Sequence, residues 1–444
     1  MKLFLAIVVC KLVRIIGKAV GKGSSMPGKI ALKLCPDLLK RLTLPPTIVA
    51  VTGSNGKTST VEMIGAIFRA SGKTLVYNQE GANQTEGVVT ALLTHATLGG
   101  KVNADVLLLE SDERYAKFTF SQIHPTHFVI TNLYRDQLTR NGHPQWVARD
   151  IQAALHPQTH LILNADDPQV SCFAGESAVT WFGVDGGDHT APTGVYHDGT
   201  HCPKCHGLME YTAVHYNHIG NYKCTNCGFK RENTNYTVTD LDLSSGRMVI
   251  DGETQIQLAF ASIYHVYNTL AAYALCNLCG VDKGVIAKTI NGYLLQNGRV
   301  QRFRLGEHHG TLLTSKHENS IAYDTNLRYI ASQKELCDVV VIVEDISRKY
   351  FTSETSWLWD IDFNLLDCGH VNTLHLAGQY AHDLALRMEF TTVSPEKVKV
   401  YPTVENVVEL LKTPAASGDL PLFVVTCFSD RDKLLRHTTK EVQP

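Results

Sequence analysis

Two groups of residues stand at spacings that particular chemistries require. The first is Thr52-Gly53-Ser54-Asn55-Gly56-Lys57-Thr58-Ser59. Glycines at such positions let backbone N–H groups turn inward onto phosphate, Lys57 brings a point charge to the outer phosphates, and the Thr58 hydroxyl can ligate Mg²⁺. Gly53, Ser54, Asn55, Gly56, Lys57, Thr58 and Ser59 are therefore the candidate phosphate cradle, with Lys57 also placed to stabilise a transferring phosphoryl group. The second group is Cys202-Pro-Lys-Cys205 with Cys224-Thr-Asn-Cys227, two knuckles separated by 18 residues. Knuckles of this form present four thiolates tetrahedrally, the donor set of a closed structural Zn²⁺ site.

The elements around these groups are legible. Thr47 to Thr52 reads as a buried strand running into the glycine turn, and Val61 to Gly72 has helical spacing with a glycine stop, so the loop sits between a strand and a helix. Further strands are expected within 104–110, 126–132 and 160–166, separated by polar or helical stretches as in a parallel α/β sheet, whose polar strand ends gather at one ligand-binding edge. From about 194 to 235 the texture changes to Cys, His, Gly, Tyr and Asn. A segment so small has too little core to fold alone, and a metal would supply its stability. Residues 264–280 read as a strong helix, and a second unit begins near Val300 with strands at 337–345 and 371–378 and a helix at 381–388. The expected architecture is α/β: an N-terminal helical segment (1–46), a middle domain with parallel sheet and inserted ribbon (47–299), and a smaller α/β C-terminal domain (300–444).

Composition narrows the function classes. A chain of 444 residues exceeds one ordinary core, and 44% hydrophobic with 19% charged residues is the composition of a soluble globular protein. The net charge of −2 gives no global field for polyanions, which argues against nucleic acid as the main partner, and the mildly basic ribbon is read as a scaffold or docking element. Twelve cysteines, four at metal spacing, fit a reducing cytoplasm. Cys276 and Cys279 repeat the C-x₂-C spacing without a partner pair and are expected in a core. At the N-terminus Lys11, Arg14, Lys18 and Lys22 alternate with apolar residues, as in an amphipathic basic helix. Packing on the body is the main expectation, with peripheral contact at the inner face of the membrane and a signal segment as the alternatives.

The compact TGSNGKTS loop is similar to that of the Mur ligase family, and other segments follow in that family's order. Thr131-Asn132 with Asp136-Gln137-Leu138, Asn164-Ala165-Asp166-Asp167-Pro168, Asn268 and Gly298-Arg299 each match a family motif. The resemblance implies an ATP-dependent ligase in which Glu110 holds Mg²⁺ and acts in catalysis, while Asn268 and Arg299 serve the nucleotide. Asp166 and Asp167 either belong to that site or cap the turn before Pro168, and Asp112 and Glu113 are expected to be solvated. The four-cysteine ribbon, the segment 21–42 and Ser356-Trp357-Leu358-Trp359-Asp360 resemble the MurT branch, so the similarity spans nearly the whole chain. It implies amidation of the D-glutamate carboxylate in the lipid II stem peptide during cell-wall synthesis, with ammonia from a GatD-type glutaminase partner. Asp360 would then be the third member of the partner's catalytic triad, or else a capped strand end beside a tryptophan core.

The chain departs from that branch in places. Ser315-Lys316-His317-Glu318-Asn319 replaces a lysine-asparagine-proline segment, and Tyr350-Phe351-Thr352-Ser353-Glu354 replaces a D-G-R-D. Nothing resembles a nucleophilic cysteine with a paired histidine, so ammonia must come from elsewhere. The competing readings are a Mur-type ligase that adds an amino acid and a non-catalytic ATP-binding zinc-ribbon docking protein.

Overall fold

The structure, a computed structural model, describes residues 1–19, 24–78, 82–185, 195–196, 198–259, 261–293, 300–344, 354–413 and 420–440. They fall into two compact units. One comprises 1–134, 143–193 and 197–295; the other comprises 135–142, 194–196 and 296–444. The junction expected at Arg299 lies outside the described residues, as do Tyr350 to Ser353.

The first unit is built on strands β1 (Thr47–Thr52), β2 (Leu75–Tyr77), β3 (Val106–Glu110), β4 (His127–Ile130), β5 (His160–Asn164) and β6 (Val179–Val184). Beyond the ribbon hairpin β7 (Met209–Tyr216) and β8 (Ile219–Cys224), the sheet continues with β9 (Tyr236–Asp242), β10 (Arg247–Ile250) and β11 (Thr254–Gln257). The sheet order is β11-β10-β9-β6-β5-β4-β1-β3-β2, parallel from β2 through β9 and antiparallel at the other edge. β1 and β3 are continuous apolar runs because helices cover both faces. On one face α1 (Lys2–Ala19), α2 (Met26–Leu34) and α4 (Thr85–His95) bury Ala6, Ile7, Ala31 and Val89 against Ala50, Leu107 and Phe128. Toward the other, α3 (Lys57–Ala70) packs on the helix Ile263–Leu278, which is apolar nearly all round and correspondingly buried from His265 to Cys276.

The chain passes from β3 to β4 across β1, which places the ends of these three strands at a switch in strand order. Ligands of open α/β sheets bind in the crevice at such a point. The parallel register aligns Val51 with Glu110 and Thr52 with Ile130, bringing the loop after β1, the last residue of β3 and Thr131 to one edge.

The second unit carries β12 (Val300–Leu305), β13 (His308–Ser315), β14 (Cys337–Ile342), β15 (Val371–Ala377), β16 (Val398–Tyr401), β17 (Leu422–Cys427) and β18 (Thr439–Lys440). Their order is β16-β15-β14-β17-β13-β12-β18, parallel from β16 to β13. Two hydrophobic clusters, one around Val339, Val341 and Leu374 and one around Val340, Ile342 and Val424, cover its two faces. The segment Ser356–Asp360 is a short 3₁₀ helix and not a strand end. The spacing of Trp357 and Leu358 buries both in the first of these clusters, while Trp359 remains exposed.

Candidate active site

Gly53 and Gly56 adopt φ of 138° and 84°, backbone that side chains with a Cβ rarely take. Their neighbours leave no room for a Cβ either. At Gly56 it would lie 1.9 Å from Asn268 Oδ1, and at Gly53 2.1 Å from Thr131 Oγ1. Asn268, on the helix Ile263–Leu278, is thus set directly against the loop.

The segment after β4 braces the loop from the other side. Asn55 N–H donates to Asn132 Oδ1 at 2.9 Å, Thr131 Oγ1 donates to the Asn55 carbonyl at 2.9 Å, and Ser54 Oγ donates to the Tyr134 carbonyl at 2.9 Å. Below, Asn164 Nδ2 donates to the Thr131 carbonyl at 3.0 Å. The Thr-Asn and Asn-Ala-Asp-Asp motifs therefore act on the loop as rigid supports, a role their spacing alone did not disclose.

Lys57 is buried at the start of α3, and its ammonium donates to the Gly53 carbonyl and to the Glu113 carboxylate. Glu113 and Asp112 are each only 3% exposed, which corrects the expectation that both are solvated. The turn after β3 folds Asp112 back as an acceptor for the Arg114 amide and points Glu113 at the cation. Glu110 closes β3, buried, with Asn83 Nδ2 at 3.3 Å from its Oε1 and its backbone held on both sides by Asn78. A glycine cradle, an ammonium at the helix start, the Thr58 hydroxyl and the Glu110 carboxylate fit Mg²⁺-bound nucleotide by donor chemistry. Arg299 lies outside the described residues.

In the ribbon the four Sγ atoms of Cys202, Cys205, Cys224 and Cys227 lie within 4.8 Å of one another. Cys202 to Cys227 is 3.7 Å and Cys205 to Cys224 is 3.5 Å. A tetrahedron of thiolates about 2.3 Å from zinc has edges of about 3.8 Å, so the set fits Zn²⁺. The Gly207 amide helps hold the Cys205 thiol down to about 6. Tyr222 and Phe229, with Met209 and Tyr211 packed against them, add the apolar bulk of this small core. The ribbon is tied to the sheet by Asp166, whose carboxylate accepts from Arg231, from Tyr267 Oη at 2.6 Å and from the Val184 amide at 2.7 Å. Asp167 caps the short helix after it and accepts from the Leu133 amide, and buried His218 sits 3.3 Å from its Oδ1. Both aspartates are structural fasteners. Cys276 is fully buried and Cys279 half-buried, as core residues.

In the second unit Asp360 accepts from Arg135 Nη1 at 3.2 Å, and the Arg135 guanidinium lies 4.4 Å from the Tyr196 ring, whose Oη is 2.9 Å from Ser320 Oγ. Asp136 accepts from Lys316 and from Asn319 Nδ2, and Asn319 caps the helix Ser320–Ala331. His317, inside the divergent segment, places Nε2 2.5 Å from Ser429 Oγ, beside Asp430 and Cys427. Neither Arg135 nor Ser429 carries a local sequence signal for these roles.

A switch-point glycine loop with a buried lysine, in a chain with a second parallel α/β unit, defines a ligase of the Mur type. The family model for the Mur ligase middle domain matches residues 51–228, and that for the MurT ligase C-terminal domain matches 317–426. The chain belongs to the MurT family. It is 30% identical over 397 residues, 88% of this chain and 89% of the relative, to the lipid II isoglutaminyl synthase (glutamine-hydrolyzing) subunit MurT of Staphylococcus aureus strain COL. Identity to the subunit of the same name from Streptococcus pneumoniae is 29%, covering 88% of each chain. Among solved structures, a pseudomurein peptide ligase type C from Methanothermus fervidus shares the fold with a TM-score of 0.67 at 19% identity, covering 90% of this chain and 80% of that one.

Proposed function

We propose that this chain is the ATP-dependent synthetase subunit that amidates the D-glutamate α-carboxylate of the lipid II stem peptide to D-isoglutamine, in the cytoplasm. The observation that carries the reading is the glycine loop braced between Asn268 and Asn132 with the Lys57 ammonium at its centre, in a chain similar to MurT subunits along most of its length.

The loop amides and Lys57 hold the phosphates of ATP and orient the terminal phosphorus toward the substrate carboxylate. Thr58 and Glu110 are the residues that would hold Mg²⁺. When bound, the ion neutralises charge on the phosphate oxygens. A carboxylate oxygen attacks the terminal phosphorus, the bond to ADP breaks, and an acyl phosphate results. Ammonia then attacks the acyl carbon, phosphate leaves, and a proton is released. Activation is needed because a carboxylate resists nucleophiles whereas phosphate is a good leaving group. Asn268 and Arg299 serve the nucleotide. Cys202, Cys205, Cys224 and Cys227 are the residues that would hold Zn²⁺, which would stabilise the ribbon's fold and take no part in transfer.

Ammonia comes from a GatD-type glutaminase with which this chain forms a heterodimer. Asp360 orients the partner's catalytic imidazole, held meanwhile by Arg135. The test is mass spectrometry of the stem peptide after incubating lipid II with this protein, a cognate glutaminase, glutamine, Mg²⁺ and ATP. A glutamate-to-amide conversion that disappears with Lys57→Ala supports the reading. No conversion, even with ammonium replacing the glutaminase, rejects it.

A further inference from the structure

Helix α1 presents to solvent the kind of side chains that folding normally hides. Its inner face buries Ala6, Ile7 and Cys10 in the sheet core. Phe4, Leu5, Leu12, Ile15 and Ile16 point the other way, 51%, 50%, 55%, 69% and 67% exposed. Their spacing follows the helix repeat, so they form one continuous apolar stripe on the outward face. Stripes of this extent on soluble proteins mark an interaction surface.

Charge indicates what covers it. The first 46 residues hold nine Lys and Arg against the single acid Asp37, although the whole chain carries −2, so the remainder is net acidic. Among these cations Lys2, Lys29, Lys33 and Lys40 are exposed, and neither α1 nor α2 has an acid in its first turn. A second copy of this segment would bring like charge against like. No described helix is long and apolar enough to cross a membrane, and α1 carries Lys11 and Arg14 in its middle. An apolar stripe on α1, with exposed cations at Lys2 on that helix and at Lys29, Lys33 and Lys40 on the segment that follows, suits an orientation in the plane of a bilayer, with the stripe among the acyl chains and the cations at anionic headgroups.

We propose that the outward face of α1, with the basic residues of α2, is a docking surface for an anionic membrane. The proposal does not depend on the catalytic reading, because docking requires neither nucleotide nor substrate.

The experiment is flotation of the full-length protein with phosphatidylglycerol-containing vesicles and with pure phosphatidylcholine vesicles, at low and high salt. Wild type should float with the anionic vesicles, weakly with the neutral ones, and less at high salt. The double variant Ile15→Glu/Ile16→Glu should reduce apparent vesicle affinity at least about tenfold. Lys29→Glu/Lys33→Glu, on the other helix, should reduce it too and weaken the salt dependence. Leu386→Glu, at an exposed apolar site in the second unit, should leave it unchanged. All four proteins should share the wild-type unfolding midpoint, since the substituted side chains are exposed. Failure of wild type to float with anionic vesicles at low salt would overturn the proposal. So would flotation indifferent to both double variants, or a wild-type dimer that Ile15→Glu/Ile16→Glu converts to monomer without changing flotation.

Discussion

The Lys57 ammonium is paired with the Glu113 carboxylate, both groups buried, at the start of the helix that follows the phosphate loop. The pair gives this largely buried cation a charged partner beside the Gly53 carbonyl. Nucleotide phosphates would compete with Glu113 for that cation.

Glu113→Gln should therefore have two opposite effects. Removing one partner of a buried pair lowers the stability of the nucleotide-free chain by about 3 kcal/mol. The same change removes the competitor and should tighten ATP binding several-fold, as read by calorimetric titration. A weaker affinity in the variant would mean that Glu113 stays to help bind nucleotide, and the competition argument would be wrong.

Asp360→Asn separates the two half-reactions. If Asp360 orients the partner's imidazole, glutamine-driven amidation should fall about 100-fold or more, while amidation driven by added ammonium remains at the wild-type rate. Arg135→Ala, which removes the group now holding Asp360, should give a smaller loss in the glutamine-driven assay alone. Equal losses with both nitrogen sources would assign the Asp360 loop to the synthetase reaction instead.

The ribbon should fold only with its metal. Elemental analysis of purified protein should find about one zinc per chain, and Cys205→Ser should lose it. Because Asp166 and Arg231 tie the ribbon to the sheet, limited proteolysis of the variant should cut first within 198–235 and leave the rest of the sheet intact longer. A variant that keeps zinc and resists protease like wild type would contradict this.

Asp324 supplies a pH signature in the second unit. Burial pushes its carboxyl up to about 7, against the Asp362 amide that donates to it at 2.8 Å. A carboxyl raised from the ordinary 3.8 contributes fully below about pH 4, and its contribution is lost as pH rises through about 7. Asp324→Asn should thus gain on wild type in urea denaturation by a few kcal/mol between about pH 4 and about pH 8. Parallel stability curves for the two proteins would rule the shift out.

The loop and the cysteine ribbon were legible because each is a local pattern. Gly53, Gly56 and Lys57 lie within one turn of chain, and each cysteine knuckle spans four residues, so backbone geometry alone requires those types at those spacings. The β1, β3, β4 and β5 strands and the helix Ile263–Leu278 were legible for a similar reason, since continuous apolar runs follow from burial on all sides. Asp112 and Glu113 were misread as solvated. Polar type says only that a partner or water is needed, and the partner Lys57 lies 56 residues away.

The amino-acid sequence by itself determined the strand–loop–helix that can cradle phosphate, the four-thiolate set and the two α/β units, because short-range sterics, hydrophobic period and ligand spacing are written in neighbouring residues. Tertiary structure alone decided that Asn132 and Asn268 brace the loop, that Arg135 holds Asp360, and that His317 meets Ser429 across 112 residues of chain. It also decided which side of α1 remains uncovered. These depend on how strands order themselves in a sheet, and that order is settled by packing among segments far apart in sequence.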